Sequence, residues 1–416
     1  MGCQSSNCIK EISTNDFNKE LCKQIFNFLP SRNNTDLLNL KNMIKSLTIK
    51  CSQKEKYFII YLWICENIEY DYNSFITGKF INCSPDYVLS KGKTVCSGFA
   101  RLFKDIASFL ELNVQCIKCY TKGYWYEPGR ILTKLNHEYN LIDIDNIWHP
   151  IDLTLGAGHI EGDEFIKKFN DYFFCLDPEF MILTHYPENR VWQLTKKIYT
   201  LTEFLKWPQV FTNFYVYKFN KFFPEEGYII LENSNKQKFV IWSENMEKRN
   251  ASCKIYFFFK NRYKQLLNCD KINFYNNRFE VDCIFNKKGK YKIDLFGNDD
   301  GSPKTYKIIT YILIVEKSVK KELKYPLFYN ESKSIQIYEP LYNDIKSGDK
   351  VKFKIKSDLD KIIIIDEKWY YLTKNKNGFF EKEIIVKNHP GEKIVIAKEN
   401  EHEKNTCIFM ASYNIS

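Results

Sequence analysis

The chain has 416 residues, 44% of them hydrophobic and 27% charged, with a formal net charge of +10. That length allows about two to three domains, each able to bury a core. An apolar run of about 18 residues is absent, which excludes a transmembrane helix, and the lysines are interspersed with Glu and Asp rather than gathered into the basic stripe of a nucleic-acid binder.

The N-terminus reads Met1-Gly2-Cys3-Gln4-Ser5-Ser6, the pattern for N-myristoylation of Gly2. One acyl chain binds a membrane weakly, with an association constant of about 10⁴ M⁻¹, and palmitate on the adjacent Cys3 would supply a second anchor. Residues 1–13 are therefore expected to be a flexible acylated tether. It would place the protein in the cytoplasm, attached to the inner face of a membrane. An ordinary tail matching the motif by chance is the bland alternative. The chain carries fourteen cysteines but no apolar signal-peptide core. It is too long to need disulfide staples, so free thiols in a reducing compartment are expected.

Helical periodicity runs over Asp16–Phe28, Leu37–Leu47 and Ser52–Ile68. After a loop around Pro85 comes Thr94-Val95-Cys96-Ser97-Gly98-Phe99-Ala100, then an amphipathic run through Leu102, Phe103, Ile106 and Leu110. This pattern predicts Cys96 in the first turn of a helix. Backbone N–H groups and the helix dipole lower a thiol pKa there, and the same N–H groups can face an oxyanion.

Strands are expected at Val114–Cys119, His137–Ile144 and Ile147–Thr154. A cysteine nucleophile needs a base, and the base an orienting group. His137, one of six histidines, is the candidate base, and Asp152 the candidate orienter. His149, beside Pro150, and His159, beside the Leu155-Gly156-Ala157-Gly158 turn, read as loop residues. Cys116 and Cys119 form a lone Cys-x-x-Cys pair, short of the four ligands of structural zinc. No metal and no cofactor are expected.

Residues 14–205 thus read as one α+β domain. Beyond Trp207-Pro208 the pattern changes to short aromatic and β-branched strands. Residues 206–320 include Phe211–Tyr217, Lys238–Trp242, Cys253–Phe259, Phe279–Phe285 and Lys290–Phe296. Residues 321–416 include Ser334–Tyr338, Lys350–Ile355, Lys361–Ile365 and Phe379–Val386. Each block has the size of an all-β sandwich, about 100 residues. The antibody-type Cys…Trp…Cys spacing is missing, so an immunoglobulin-like architecture is expected rather than that family.

Glu55–Thr154 resembles the transglutaminase-like, papain-related superfamily. The resemblance rests on Trp63 to Asp71, on Val95-Cys96-Ser97-Gly98-Phe99-Ala100, on His137-Glu138-Tyr139-Asn140 and on Trp148 to Gly158. Lys122 to Tyr126, Tyr172 to Pro178, His185-Tyr186-Pro187 and Trp192-Gln193-Leu194 are similar to the kyphoscoliosis peptidase group, whose members carry such a domain followed by β-rich domains. The resemblance implies a Cys96–His137–Asp152 triad and peptidase or transglutaminase-type acyl transfer. It also implies a protein substrate or cytoskeletal partner and no nucleic acid. Tyr139 stands where the family has Trp, and Leu155 where it has the Trp of Thr-Trp-Gly. The alternative expectation is a catalytically inactive, membrane-tethered scaffold binding a cytoskeletal or signalling protein.

Overall fold

Three helices open the chain: α1 (Lys19–Phe28), α2 (Leu37–Leu47) and α3 (Gln53–Asn67). The computed structural model describes residues 17–416 apart from 80, 124, 245, 247, 248, 299–301, 303, 321, 330–332, 401, 402, 404 and 405. α3 is apolar on every side and buries Tyr57 through Cys65, the mark of a central helix. Its start is fixed by a capping box. Ser52 accepts from the Glu55 N–H, and the Glu55 carboxylate accepts from the Ser52 N–H at 2.8 Å.

Next come β1 (Glu69–Tyr70), α4 (Tyr72–Thr77), α5 (Pro85–Lys91), β2 (Lys93–Thr94) and α6 (Cys96–Phe109). β1 and β2 pair in parallel, which anchors the chain just before α6. A Cβ on Gly98 would lie 1.9 Å from Thr94 Oγ1, so only glycine lets the first turn of α6 pass this close to β2. Phe99, Leu102, Phe103 and Ile106 of α6 join the core built around α3.

β3 (Val114–Thr121), β4 (His137–Ile144), β5 (Ile147–Ile151), α7 (Leu153–Ala157), β6 (Gly158–Glu161), β7 (Glu164–Lys167), α8 (Pro178–Met181), β8 (His185–Pro187) and α9 (Leu201–Lys206) follow. The main sheet has the order β5-β4-β3-β8, antiparallel throughout. Strand alternation gives it two faces. Val114 and Ile142 join the α3/α6 core, while Ile117, Tyr139 and Leu141 pack with Phe173, Leu176 and Met181.

Three expectations need correction. The strand predicted to reach Thr154 stops at Ile151, because the Asp152 carboxylate accepts the Leu155 N–H and starts α7. His149 and His159 are not loop residues: they lie on β5 and β6. Phe211–Tyr217 is not a strand but holds helix α10 (Thr212–Val216). Its aromatic composition favours strand, but the consecutive buried pair Phe214 and Tyr215 does not follow strand alternation.

Contacts divide the chain into two compact units, residues up to 125 with 132–204, and 126–131 with 205–416. The first is the α+β unit just described. The second contains two all-β sandwiches. In the first sandwich, Phe219–Phe223, Lys236–Ser243, Arg278–Ile284 and Asp270–Tyr275 form one sheet. Tyr228–Leu231, Tyr306–Val315, Gly289–Gly297, Ala251–Phe259 and Arg262–Leu266 belong to the other. Phe239 and Tyr311 meet between these sheets at 4.6 Å. The second sandwich sets Leu327–Phe328, Cys407–Asn414, Lys393–Glu399, Lys361–Asp366 and Lys368–Thr373 over Ile335–Glu339, Lys350–Ser357 and Phe379–Ile385. Phe353, Ile364, Phe380 and Ile396 fill its core. Among the described residues no helix is long and apolar enough to cross a membrane.

Candidate functional site

Cys96 is the first residue of α6, and its N-cap Val95 offers no side-chain acceptor to the first-turn N–H groups. The residue is 9% exposed. Burial pushes the thiol pKa up. The hydrogen bond to His137, the charge of His137 and the Glu138 N–H together outweigh that, and the net pKa lies below the ordinary thiol value.

His137 begins β4. Its Nε2 lies 2.6 Å from Asp152 Oδ2. That leaves Nδ1 as the ring nitrogen available to the Cys96 thiol, whose pKa His137 lowers. Burial would lower the imidazole pKa, but the charge and hydrogen bond of Asp152, helped by Cys96, raise it. Asp152 is itself buried, which would raise its pKa. His137 and then His185 outweigh that and hold the carboxyl well below the usual range. Each of the three shifts runs in the sense that favours the charged form of its group.

The sheet register explains how His137, Asp152 and His185 meet. Cys119 is opposite His137, and Thr121 is opposite His185. Cys119 and Thr121 are two apart on β3, so their partners His137 and His185 share one face. Asn140 is opposite Ile151. The next residue, Asp152, falls beside Tyr139, on that same face. His185 Nε2 lies 3.2 Å from the Asp152 Oδ2 that His137 also holds, and Leu155 N donates to Oδ1 at 3.0 Å. His185 is the site residue that sequence reasoning missed. It was noticed only inside the His185-Tyr186-Pro187 resemblance, and no local pattern announces a partner 33 residues away.

No family model matches the chain. Kyphoscoliosis peptidase of Mus musculus is 30% identical over 156 residues, covering 37% of this chain and 24% of that protein. Hillarin of Drosophila melanogaster is 29% identical over 141 residues, covering 30% and 17%. The matched segment thus spans about a quarter of the mouse protein or less. Over about a third of its length the chain is thus similar to the kyphoscoliosis peptidase group. Among solved structures, red sea bream transglutaminase aligns at a TM-score of 0.24 and 8% identity, over 95% of this chain and 73% of that one.

In the first unit, Tyr139 is buried, with its ring edge-to-face on His185 at 5.7 Å. Leu155 packs against the cluster that holds Trp148 and Trp192. Asn140 lies on the opposite face of β4, where its Nδ2 donates to the Ala100 carbonyl at 3.1 Å and fastens α6 to the sheet. His149 is opposite Ile142, also on that face. His159 is exposed and lies 3.7 Å from Glu161. Cys116 is opposite Asn140 and Cys119 opposite His137, so the two thiols point to opposite faces and cannot share an ion.

His137, Asp152 and His185 offer ligand atoms within 4.8 Å of one another. Tetrahedral ligands on bonds of about 2.0–2.1 Å would stand about 3.3 Å apart. Here both Nε2 atoms are already hydrogen-bonded to one carboxylate oxygen, the nearer at 2.6 Å. The cluster is a hydrogen-bonded chain. Gly2 and Cys3 lie outside the described residues.

Proposed function

We propose that the first unit performs cysteine-dependent acyl transfer on protein amides through Cys96, His137 and Asp152. What supports this reading is Cys96 at a helix start together with His137, which a buried carboxylate holds at 2.6 Å and which lowers the thiol pKa. The name of the mouse relative, a peptidase, supports the same chemistry.

The Cys96 thiolate attacks the amide carbon, forming an S–C bond and moving the carbonyl π pair onto oxygen. First-turn N–H groups of α6, that of Cys96 first, stabilise the oxyanion. As the oxyanion collapses, the C–N bond breaks and the His137 imidazolium gives its proton to the departing amine, leaving a thioester. Asp152 keeps Nε2 protonated and the ring oriented throughout. Water or a lysine amine then attacks the thioester while neutral His137 takes its proton, and the Cys96 thiolate leaves. Water gives hydrolysis and the lysine amine gives a crosslink.

The Gly2 and Cys3 acylation pattern supports action at the inner face of a membrane, on a protein substrate or a cytoskeletal partner. A second reading, an inactive membrane-tethered scaffold, is favoured by the small exposure of Cys96.

Iodoacetamide labelling from pH 4 to 9, located by mass, separates the two. Fast labelling of Cys96 near pH 6 that is lost in His137→Ala supports the enzyme, with Cys96→Ala as the blank. Labelling at Cys96 no faster than at the other thiols, and rising only above about pH 8, supports the scaffold.

A further inference from the structure

We propose that His185 is a positioning residue for the catalytic pair, a neutral imidazole that donates Nε2–H to Asp152 Oδ2 and extends the site to Cys96–His137–Asp152–His185. This inference rests on the acyl-transfer reading of the same site.

The tautomer follows from the partners. An ionised carboxylate only accepts, so the His185 Nε2 at 3.2 Å from Oδ2 must carry the proton. Nδ1 of the neutral ring then has a lone pair to offer, and Thr184 Oγ1 lies 2.8 Å from it, nearer than the 3.3 Å to its other acceptor, the Met181 carbonyl. Thr184 is fixed in turn: its carbonyl accepts from Thr121 Oγ1 and from the Lys122 N–H, both at 3.0 Å on the neighbouring β3 chain. The groups facing the ring are few. Asp152 comes from the end of β5, His137 and Tyr139 from β4, Cys119 from β3 and the Met181 carbonyl from the end of α8. Burial keeps the Cys119 thiol protonated. Burial lowers the His185 pKa, and the charge of His137 adds to that against the pull of Asp152 and of the Met181 carbonyl, with a net shift toward the neutral ring.

The consequence is geometric. Asp152 is held from three sides, by His137 and His185 on Oδ2 and by Leu155 N–H on Oδ1. Without His185, Oδ2 keeps a single donor, and the carboxylate can turn away from the ring it orients. The imidazolium–thiolate pair then loses support, and the Cys96 pKa climbs.

The test uses the full chain and Cys96 iodoacetamide rates from pH 5 to 9. His185→Gln can place an amide N–H where Nε2–H stands, while His185→Phe keeps the volume and removes the donor. The expected result is a wild-type profile for Gln and, for Phe, a midpoint raised by about one pH unit, with labelling about tenfold slower at pH 6. A second measurement does not depend on any variant folding. Histidine ¹⁵N resonances of the wild-type protein should show His185 protonated at Nε2 and bare at Nδ1. Labelling that requires His137 but is indifferent to His185→Phe, or a His185 protonated at Nδ1 alone, overturns this proposal and leaves the acyl-transfer reading standing. Labelling that ignores His137 overturns both.

Discussion

Asp152→Asn is the sharpest perturbation of the site, because the structure dictates which way the new amide must point. Leu155 N–H donates to Oδ1 at 3.0 Å, so the amide oxygen must take that position. The NH₂ then occupies the place of Oδ2, where it meets His137 Nε2 at 2.6 Å and His185 Nε2 at 3.2 Å. Two donors cannot face each other, so His137 must bare Nε2 and carry its proton on Nδ1, toward Cys96. In that tautomer it cannot accept the thiol proton. Asp152 is also the chief group that raises the His137 pKa against burial, and His137 the chief group that lowers that of Cys96. Amidation therefore removes the imidazolium and lets burial push the thiol up. Acyl transfer is expected to fall by roughly 10⁴, the loss that a wrong histidine tautomer causes in a comparable triad. Cys96 alkylation should lose its plateau at low pH and rise only near the ordinary thiol range, about 8.5. Rates from pH 5 to 9, followed by mass at the Cys96 peptide, measure this. An Asp152→Asn profile that overlays the wild type would refute the tautomer argument.

Two further predictions concern stability. The Asp152 carboxyl is held below its ordinary value of 3.8 in the folded chain, so the folded state binds fewer protons there than the unfolded state. Its contribution is fully present above that value and is lost as pH falls through the range below it. Between pH 6 and 4, urea midpoints should fall more steeply for Asp152→Asn, whose buried neutral His137 is protonated only on unfolding, than for the wild type, whose His137 already carries its proton, and parallel curves would count against this. A Cβ on Gly156 would lie 1.9 Å from Tyr61 Oη, which donates to the Asn170 carbonyl at 2.8 Å behind the site. Gly156→Ala should therefore cost about 1–3 kcal/mol by overpacking, read as a lower thermal midpoint, and an unchanged midpoint would show that Tyr61 moves freely.

Much of the fold was legible because its signals are local. Leu37–Leu47 and His137–Ile144 fall where periodicity puts them. The strands Arg262–Leu266 and Asp270–Tyr275 did not announce themselves. Arg262–Leu266 lies at the end of its sheet, with Arg262, Lys264 and Gln265 exposed, and such an element needs little apolar alternation of its own. Asp270–Tyr275 is at the end of the facing sheet, and its buried positions are Lys271 and Asn273, so hydrophobic alternation is inverted there.

Local sequence is enough for the helix start under Cys96 and for the strand that begins at His137. Each depends on neighbours within a turn or two of chain. Only the tertiary structure decided that His185 reaches the same carboxylate oxygen as His137, and that Cys116 and Cys119 part to opposite faces. It also decided that the thiol and the imidazole carry shifted pKa values. Those facts follow from strand register and burial, and register pairs residues far apart in the chain. Cys119 brings in His137 and Thr121 brings in His185 only once β8 has docked on β3. Burial then removes water from the charges, so each is governed by the few groups that the sheet has placed beside it.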